Sequence, residues 1–417
     1  TFSSRGLGDV YKRQPLTINS KGAAISVAKV YGVSGGDNNL TIDADSTGGA
    51  SSTETITIGA IGDGDEIAAV TLDAADGITF TGNIELADHA GADLDINGKV
   101  FISGDVTITT DNTSDDGTIN FSSTIDGVTE SGTAIDDNLI ILAGDTSNNP
   151  SGNAQGGSLT ITGNIGDEVA LTSLKINATD GDMAFTIPQV GGGGSQGVTG
   201  AVTLGNAGSG DITFAGSGAN AFDIGGKLTV TSDGGANAYQ FSGTDTVITA
   251  DGGIEFVSTG ATADTITLTD EKDLTLTANA ADITVTGVVG VDGNTGEDFT
   301  ISITQTGATG GTATVGAIGT DINDVVITAP TIKLGGDITT ALDPHTGAGT
   351  TDDDAASIDL NGAVVIDADI TLTTGNGTID FSDAIDSVAN GAKDLTIVSG
   401  SGTATFNGAI AVSYTHL

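Results

Sequence analysis

The densest chemistry in this chain is carboxylate. Asp111, Asp115 and Asp116 fall within six positions, and Asp352, Asp353 and Asp354 are consecutive. Calcium takes roughly six to eight oxygen ligands, which Asp side chains and backbone carbonyls supply. These two clusters are therefore the calcium candidates, and calcium is the one cofactor the residues suggest. The competing reading is that both are turns whose carboxylates face solvent. The stretch from Gly234-Gly235 to Asp245 echoes the glycine- and aspartate-rich calcium nonapeptides, without their tandem period.

Other chemistry finds less support. His89 and His345 are the histidines outside the last six residues, and there is no Cys. Neither His adjoins a nucleophile motif, so a hydrolytic triad has no basis, and both read as solvated loop residues. Zinc sites of the usual spacing need Cys or paired His. No Gly run is followed by Lys-Ser/Thr and a helix, which disfavours a phosphate loop. A polysaccharide-cleaving site needs cations to hold an anionic sugar and stabilise developing charge. Positions 15–411 hold eight scattered Lys and no Arg, and Tyr31 and Tyr239 are their only tyrosines, with no Trp. The expectation is a protein without catalytic residues.

The elements that position these residues are short strands. One phrase returns from Leu40 onward, an aliphatic–Thr–aliphatic alternation closed by Gly, Asn or Asp. Examples are Leu40-Thr41-Ile42, Val70-Thr71-Leu72, Leu159-Thr160-Ile161, Leu228-Thr229-Val230 and Ile370-Thr371-Leu372. Such alternation puts aliphatics on one face and Thr on the other. Strand starts recur roughly every 8 to 15 residues with turn residues between. No window shows sustained helical spacing, and no apolar run is long enough to span a membrane.

The stretch Asp93 to Gly144 occurs twice. Leu94-Asp95-Ile96-Asn97-Gly98 is answered by Ile358-Asp359-Leu360-Asn361-Gly362, Asp105–Thr110 by Asp369–Thr374, Gly117–Ser122 by Gly377–Ser382, and Asn138–Leu142 by Asp394–Val398. The offset falls from 264 to 256, with four positions lost in each of two polar loops. Loops tolerate length changes and strands do not. This is a repeat protein of short strands and variable loops. The predicted fold is all-β, a parallel β-helix (β-solenoid) of short Thr-rich strands, running continuously over 15–411 with a possible hinge at 190–197 around Gly191–Ser195. Stacked at about 4.8 Å, its coils would form a rod on the order of 60–90 Å long. Ile96, Val100, Ile102, Val106, Ile108, Ile119 and Phe121 should face inward, as should Ile358, Leu360, Ile366, Ile370, Leu372, Ile379 and Phe381. Phe80, Phe101, Phe121, Phe185, Phe214, Phe256, Phe381 and Phe406 read as single inward-facing fillers. Thr340 to Ser357 reads as a second long loop.

Charge bounds the partners. The formal net charge is −44, and of the 55 acids eight are Glu and the rest Asp. Asp prefers turns, where its side chain bonds nearby backbone amides. Phosphate binding needs clustered Lys and Arg, so nucleic acid and anionic membranes are poor partners. Without Cys, stability in an extracellular setting would rest on strand stacking. Residues 1–14 and 412–417 fit nothing between them and resemble translated sequencing adapters, so they are set aside as processing scars.

Ser158-Leu159-Thr160-Ile161-Thr162-Gly163-Asn164-Ile165, Gly377-Thr378-Ile379-Asp380-Phe381 and Ala404-Thr405-Phe406-Asn407-Gly408-Ala409-Ile410 resemble the repeats of giant bacterial surface proteins, the filamentous-haemagglutinin-like and autotransporter-type adhesins. The resemblance covers most of the chain and is compositional. It implies a secreted or cell-surface, extracellular bacterial β-helix that presents a long surface to a host or neighbouring cell, with a glycan or protein as ligand, and it brings no catalytic residues. Two alternatives stand beside it: a polysaccharide-active β-helix enzyme, and a calcium-dependent surface-layer or matrix protein.

Overall fold

A computed structural model describes residues 15–32, 38–45, 54–62, 67–86, 92–110, 117–128, 136–143, 158–178, 185–192, 196–205, 211–232, 239–242, 245–258, 264–268, 272–290, 297–304, 310–319, 321–341, 356–388 and 393–411. Among them there is no helix, and every described strand pairing is parallel. The fold is the parallel β-helix that the alternation predicts. The chain divides into two compact units, Thr1–Ile212 and Thr213–Leu417.

In the first unit one coil is built from Leu94–Asn97, Val100–Ile102 and Asp105–Thr109. Each strand pairs with its counterpart one coil back and one coil on. Leu94 lies between Val70 and Ile119, Val100 between Ile78 and Ile125, and Ile108 between Ile84 and Ile141. Aliphatic side chains therefore stack on aliphatic side chains in three inward columns, and all nine of these residues are buried. Thr17, Thr41, Thr71, Asp95, Asn120 and Thr160 form an outward column beside them. β-branched Thr suits such a ladder because its stiff side chain packs on its neighbour.

The second unit repeats this plan. Ile358–Ile366 runs through two faces of a coil without a break, and Ile370–Thr373 supplies the third. Ile358 pairs with Ile379, Val364 with Ile385 and Ile370 with Leu395. These are the pairings of Leu94 with Ile119, Val100 with Ile125 and Val106 with Leu139. The two copies read from the sequence are thus equivalent coils. Their length differences fall at 111–116 and 129–135 of the first copy, outside the described residues. All fourteen residues expected to face inward are buried.

The first corner of both copies depends on glycine. Gly98 has φ 142° and Gly362 has φ 156°, in a region that side chains disfavour. A Cβ at Gly98 would sit 2.2 Å from the Ala74 carbonyl oxygen, and one at Gly362 1.8 Å from that of Ala329. The corner is tight because it lies flat on the coil below. Gly104, at the next corner with φ 85°, has open space where a Cβ would go.

The aromatic reading needs correction at three points. Phe101 faces outward, half-buried, with its ring over Gly77, where a Cβ would meet Cε2 at 2.5 Å. Both faces of Val100-Phe101-Ile102 are apolar, so alternation alone does not orient them. Phe406 is 40% exposed, stacked on Phe381 at 5.1 Å between ring centroids. In the second unit the fillers are not single. Phe214 stacks on Phe241 at 4.8 Å and meets Phe222 and Phe256 edge-on, and Tyr239 meets Phe256 at 5.2 Å. Such pairs contribute about 0.5–1.5 kcal/mol each beyond their buried area.

Two substitution sets test this packing. Phe121→Ala and Phe381→Ala should each cost about 3–5 kcal/mol in chemical denaturation. Gly98→Ala and Gly362→Ala should cost more than Gly104→Ala, which meets only the left-handed backbone penalty of about 1–2 kcal/mol. Equal costs at the three glycines would show that contact with the coil below is not the constraint.

Candidate functional surface

Asp recurs just before a strand, as at Asp93 and Asp369, or within its first three residues, as at Asp298 and Asp324, and there its side chain does a specific job. The Thr118 N–H donates to Asp93 Oδ1 at 2.9 Å, while the Leu94 N–H donates to the Thr118 carbonyl at 2.8 Å. One carboxylate thus completes a clamp on the peptide directly above it. Asp324 and Ser357 repeat this clamp, with Ser357 N–H to Asp324 Oδ1 at 2.6 Å and Val325 N–H to the Ser357 carbonyl at 3.0 Å. Asp369 and Asp394 form a third, at 3.1 and 2.9 Å. In the second unit the clamps run in series, since Asp298 N–H donates to Asp273 and Asp324 N–H to Asp298. Asn does the same at Asn83, and in a turn the Asn376 side chain accepts the Ser401 N–H. A carboxylate that accepts a backbone N–H makes a charge-assisted bond.

Buried carboxylates in the first unit act the same way. Asp137 accepts the Gly104 N–H at 3.0 Å and the Val128 N–H at 2.9 Å. Asp126 is fully enclosed, taking the Glu168 N–H at 2.9 Å and the Thr124 hydroxyl at 3.0 Å. Much of the acid excess is therefore internal scaffolding that reaches the surface.

In-register stacking also sets acids against acids. Asp43 lies over Asp73, and Asp359 over Asp380. Burial, then the Asp45 and Asp43 charges, pushes the Asp73 carboxyl above its ordinary value. Burial followed by Asp380 and Asp324 does the same to Asp359, and burial followed by Asp251 to Asp223. Lysines offset part of the field. Lys99 pairs with Glu168, Lys227 with Glu255, and Lys333 with Asp367 at 2.7 Å. The hydrogen bond to Glu168 raises the Lys99 ammonium above its usual range.

The second unit carries an open groove of about 440 Å³. Its floor is a corner column of small residues, Gly252, Ala281 and Gly311, and Lys227, Glu255 and Asp282 stand along it. A Cβ at Gly311 would lie 2.1 Å from the Ala281 carbonyl oxygen, so this corner sits directly against the coil behind. Asp282 is a clamp residue, holding the Thr312 N–H at 2.7 Å.

Asp111, Asp115, Asp116, Asp352, Asp353 and Asp354 all lie outside the described residues, as do His89 and His345. Among the described residues no three acids or histidines are placed to hold a metal ion, and no helix is long and apolar enough to cross a membrane. Tyr239 is no ligand platform, because it is fully buried and its hydroxyl donates to the Val257 carbonyl. Burial and the Asp264 charge push its phenol above the usual range. Tyr31 is exposed, with the Lys29 ammonium 5.0 Å above its ring. The clamp residues have a sequence signal that was there to use: Asp immediately before an apolar–x–apolar triplet such as Leu94-Asp95-Ile96, Val325-Val326-Ile327 or Ile370-Thr371-Leu372. No family model, curated protein or solved structure matches the chain.

The clamp and the stacked acids make separable predictions. Asp324→Ala removes an acceptor and should cost about 1–2 kcal/mol, whereas Asp324→Asn keeps it and should be near neutral or stabilising. Asp73, Asp223 and Asp359 hold their protons to higher pH when folded than when unfolded. Their contribution to stability is greatest below the unfolded value of about 3.9 and is lost as pH rises through the raised folded values. Replacing all three with Asn should raise the melting temperature at pH 7 and flatten its dependence on pH just above the ordinary carboxylate range. A variant with an unchanged slope would place the pH dependence elsewhere.

Proposed function

We propose that this chain is a secreted or cell-surface structural and adhesive β-solenoid, part of the shaft or binding surface of a large bacterial adhesin, without catalysis. The observation that supports it is the in-register outward ladder of Thr, Asn and Asp, which repeats one polar surface coil after coil in each unit. A surface of that kind suits many weak contacts with a glycan or protein on a host or neighbouring cell. Beads coated with the chain should adhere to cells or to immobilised surface glycans and proteins. Exchanging outward Thr71, Thr275 and Thr371 for Lys should weaken that adhesion without unfolding the protein. Adhesion no better than that of uncoated beads would end this reading.

The groove beside Lys227 supports a second reading, a polysaccharide-active β-helix, because Glu255 and Asp282 share it with a cation. Release of reducing ends from a polysaccharide, abolished by Glu255→Gln, would establish that activity.

The third reading, a calcium-dependent surface protein, makes its own test. At a net charge of −44 the chain repels itself, and salt screens that repulsion. The melting temperature should rise with monovalent salt. A further rise with calcium at constant ionic strength, absent with magnesium, would mark Asp111, Asp115 and Asp116 or Asp352, Asp353 and Asp354 as sites, since a ligand specific to the folded state stabilises it.

A further inference from the structure

The groove in the second unit joins space to charge. Its volume of about 440 Å³ is in the range of small-molecule sites. It crosses four successive coils, because Leu228 pairs with Ile254, Ile254 with Ile283 and Ile283 with Ala313. Gly252, Ala281 and Gly311 follow one another along its floor, so nothing larger than a methyl group stands in the way of a slender ligand lying across the coils.

Two carboxylates line this space at a defined separation. The Ile254 N–H donates to the Asp282 carbonyl, and Glu255 pairs with Thr284. Asp282 is therefore one coil on from Gly253, and Glu255 is two residues further along that strand. With coils about 4.8 Å apart and a rise of about 3.3 Å per residue, the Cα atoms of Glu255 and Asp282 are about 8 Å apart. Asp282 Oδ1 holds the Thr312 N–H at 2.7 Å, which fixes that carboxylate and turns Oδ2 towards a ligand.

Lys227 shows how the groove receives an amine. It carries its ammonium from one coil to the Glu255 carboxylate on the next. Both side chains stay in contact with water, at 48% and 35% exposure. An ion pair so exposed contributes little, so a second ammonium can take the place of Lys227 on Glu255.

We propose that this groove binds a linear diamine, with one ammonium on Asp282, the other on Glu255 and the methylene chain laid over Gly252 and Ala281. The net charge of −44 gathers cations of every kind around the chain. The fixed separation of the two carboxylates is what selects among them, since a shorter dication meets one carboxylate at a time. This binding stands apart from the polysaccharide reading of the same groove, because it is measured without turnover.

Isothermal titration of the full chain with cadaverine, in about 0.15 M salt to screen the general field, tests the proposal. One saturable site is expected. Ethylenediamine and butylamine should bind about tenfold more weakly, having lost one charged contact. Asp282→Asn keeps an acceptor for the Thr312 N–H, and it should weaken cadaverine by about the same factor, as should Glu255→Gln. Lys227→Met removes the resident competitor and should tighten binding. Lys333→Met, whose partner Asp367 lies outside the groove, should leave it unchanged. Thermal melts of the four variants establish that each is folded. No saturable site, equal affinity for ethylenediamine and cadaverine, or weaker binding by Lys227→Met would each overturn the proposal.

Discussion

Between the first and last described coils, strands satisfy their backbones through the coil behind and the coil ahead, in parallel register interrupted by local shifts at Gly218/Phe222, Glu297/Phe299 and Thr328/Thr331. An α-helix closes its hydrogen bonds within a few residues. Here the partner of Leu94 is Ile119, 25 positions on, and the partner of Ile119 is Leu159, 40 positions on. The strands themselves are only three to nine residues long in most cases, too short to hold together alone. Their stability lies in the columns, where each residue sits on the one that occupies the same place in the next coil. Register is therefore not one feature among several. A slip of one residue would turn every aliphatic outward and every Thr inward.

Stacking like on like has opposite consequences for different side chains. Ile over Ile excludes water, and Thr over Thr packs two stiff side chains. Asp over Asp brings two charges together on a half-buried face; the Asp73 and Asp359 carboxyls are raised by burial first and by neighbouring acids second. The clamp explains why the acids are kept. At the residue before a strand, the N–H of the coil above has no carbonyl opposite it, because that carbonyl is turned to the coil below. Thr246 takes the carbonyl of Asp273, and the side chain of Asp273 is what remains to meet Asp298. The Asp side chain reaches one coil spacing, and a carboxylate one methylene longer overshoots it. That reach favours Asp over Glu at the clamp positions.

Much of this was legible in the residues. The repeat announced the coil, and alternation placed the core of both copies, from Ile96 to Phe121 and from Ile358 to Phe381. Alternation failed where both faces are apolar, as at Phe101, and where a column ends, as at Phe406, since periodicity carries no information about neighbours. By its type Tyr239 counted only as one of two tyrosines that a sugar platform could use. Its burial depends on the cluster with Phe214, Phe241 and Phe256, which the fold gathers from separate strands. The clamps were hidden for a related reason. Their residue type and position are visible, but the bond joins residues 24 to 33 positions apart, and that spacing changes from coil to coil. The calcium candidates drew attention by local density, whereas the acids with a visible structural task are dispersed.

Variable spacing is what gives such a scaffold room for function. Ile358 to Ile379 spans 21 positions and Ile119 to Leu159 spans 40, yet both close onto in-register partners. In the longer case the surplus falls at 129–135 and 144–157, outside the described residues. Extra length there costs little, because loop-closure entropy grows only about as the logarithm of length. The columns demand a fixed residue class at each position, so a change inside a strand is felt by the coils on both sides. A change at a corner is felt by one. Chemical variety is therefore cheapest at the corners, and the uniform ladders serve to hold those corners at regular intervals along each unit.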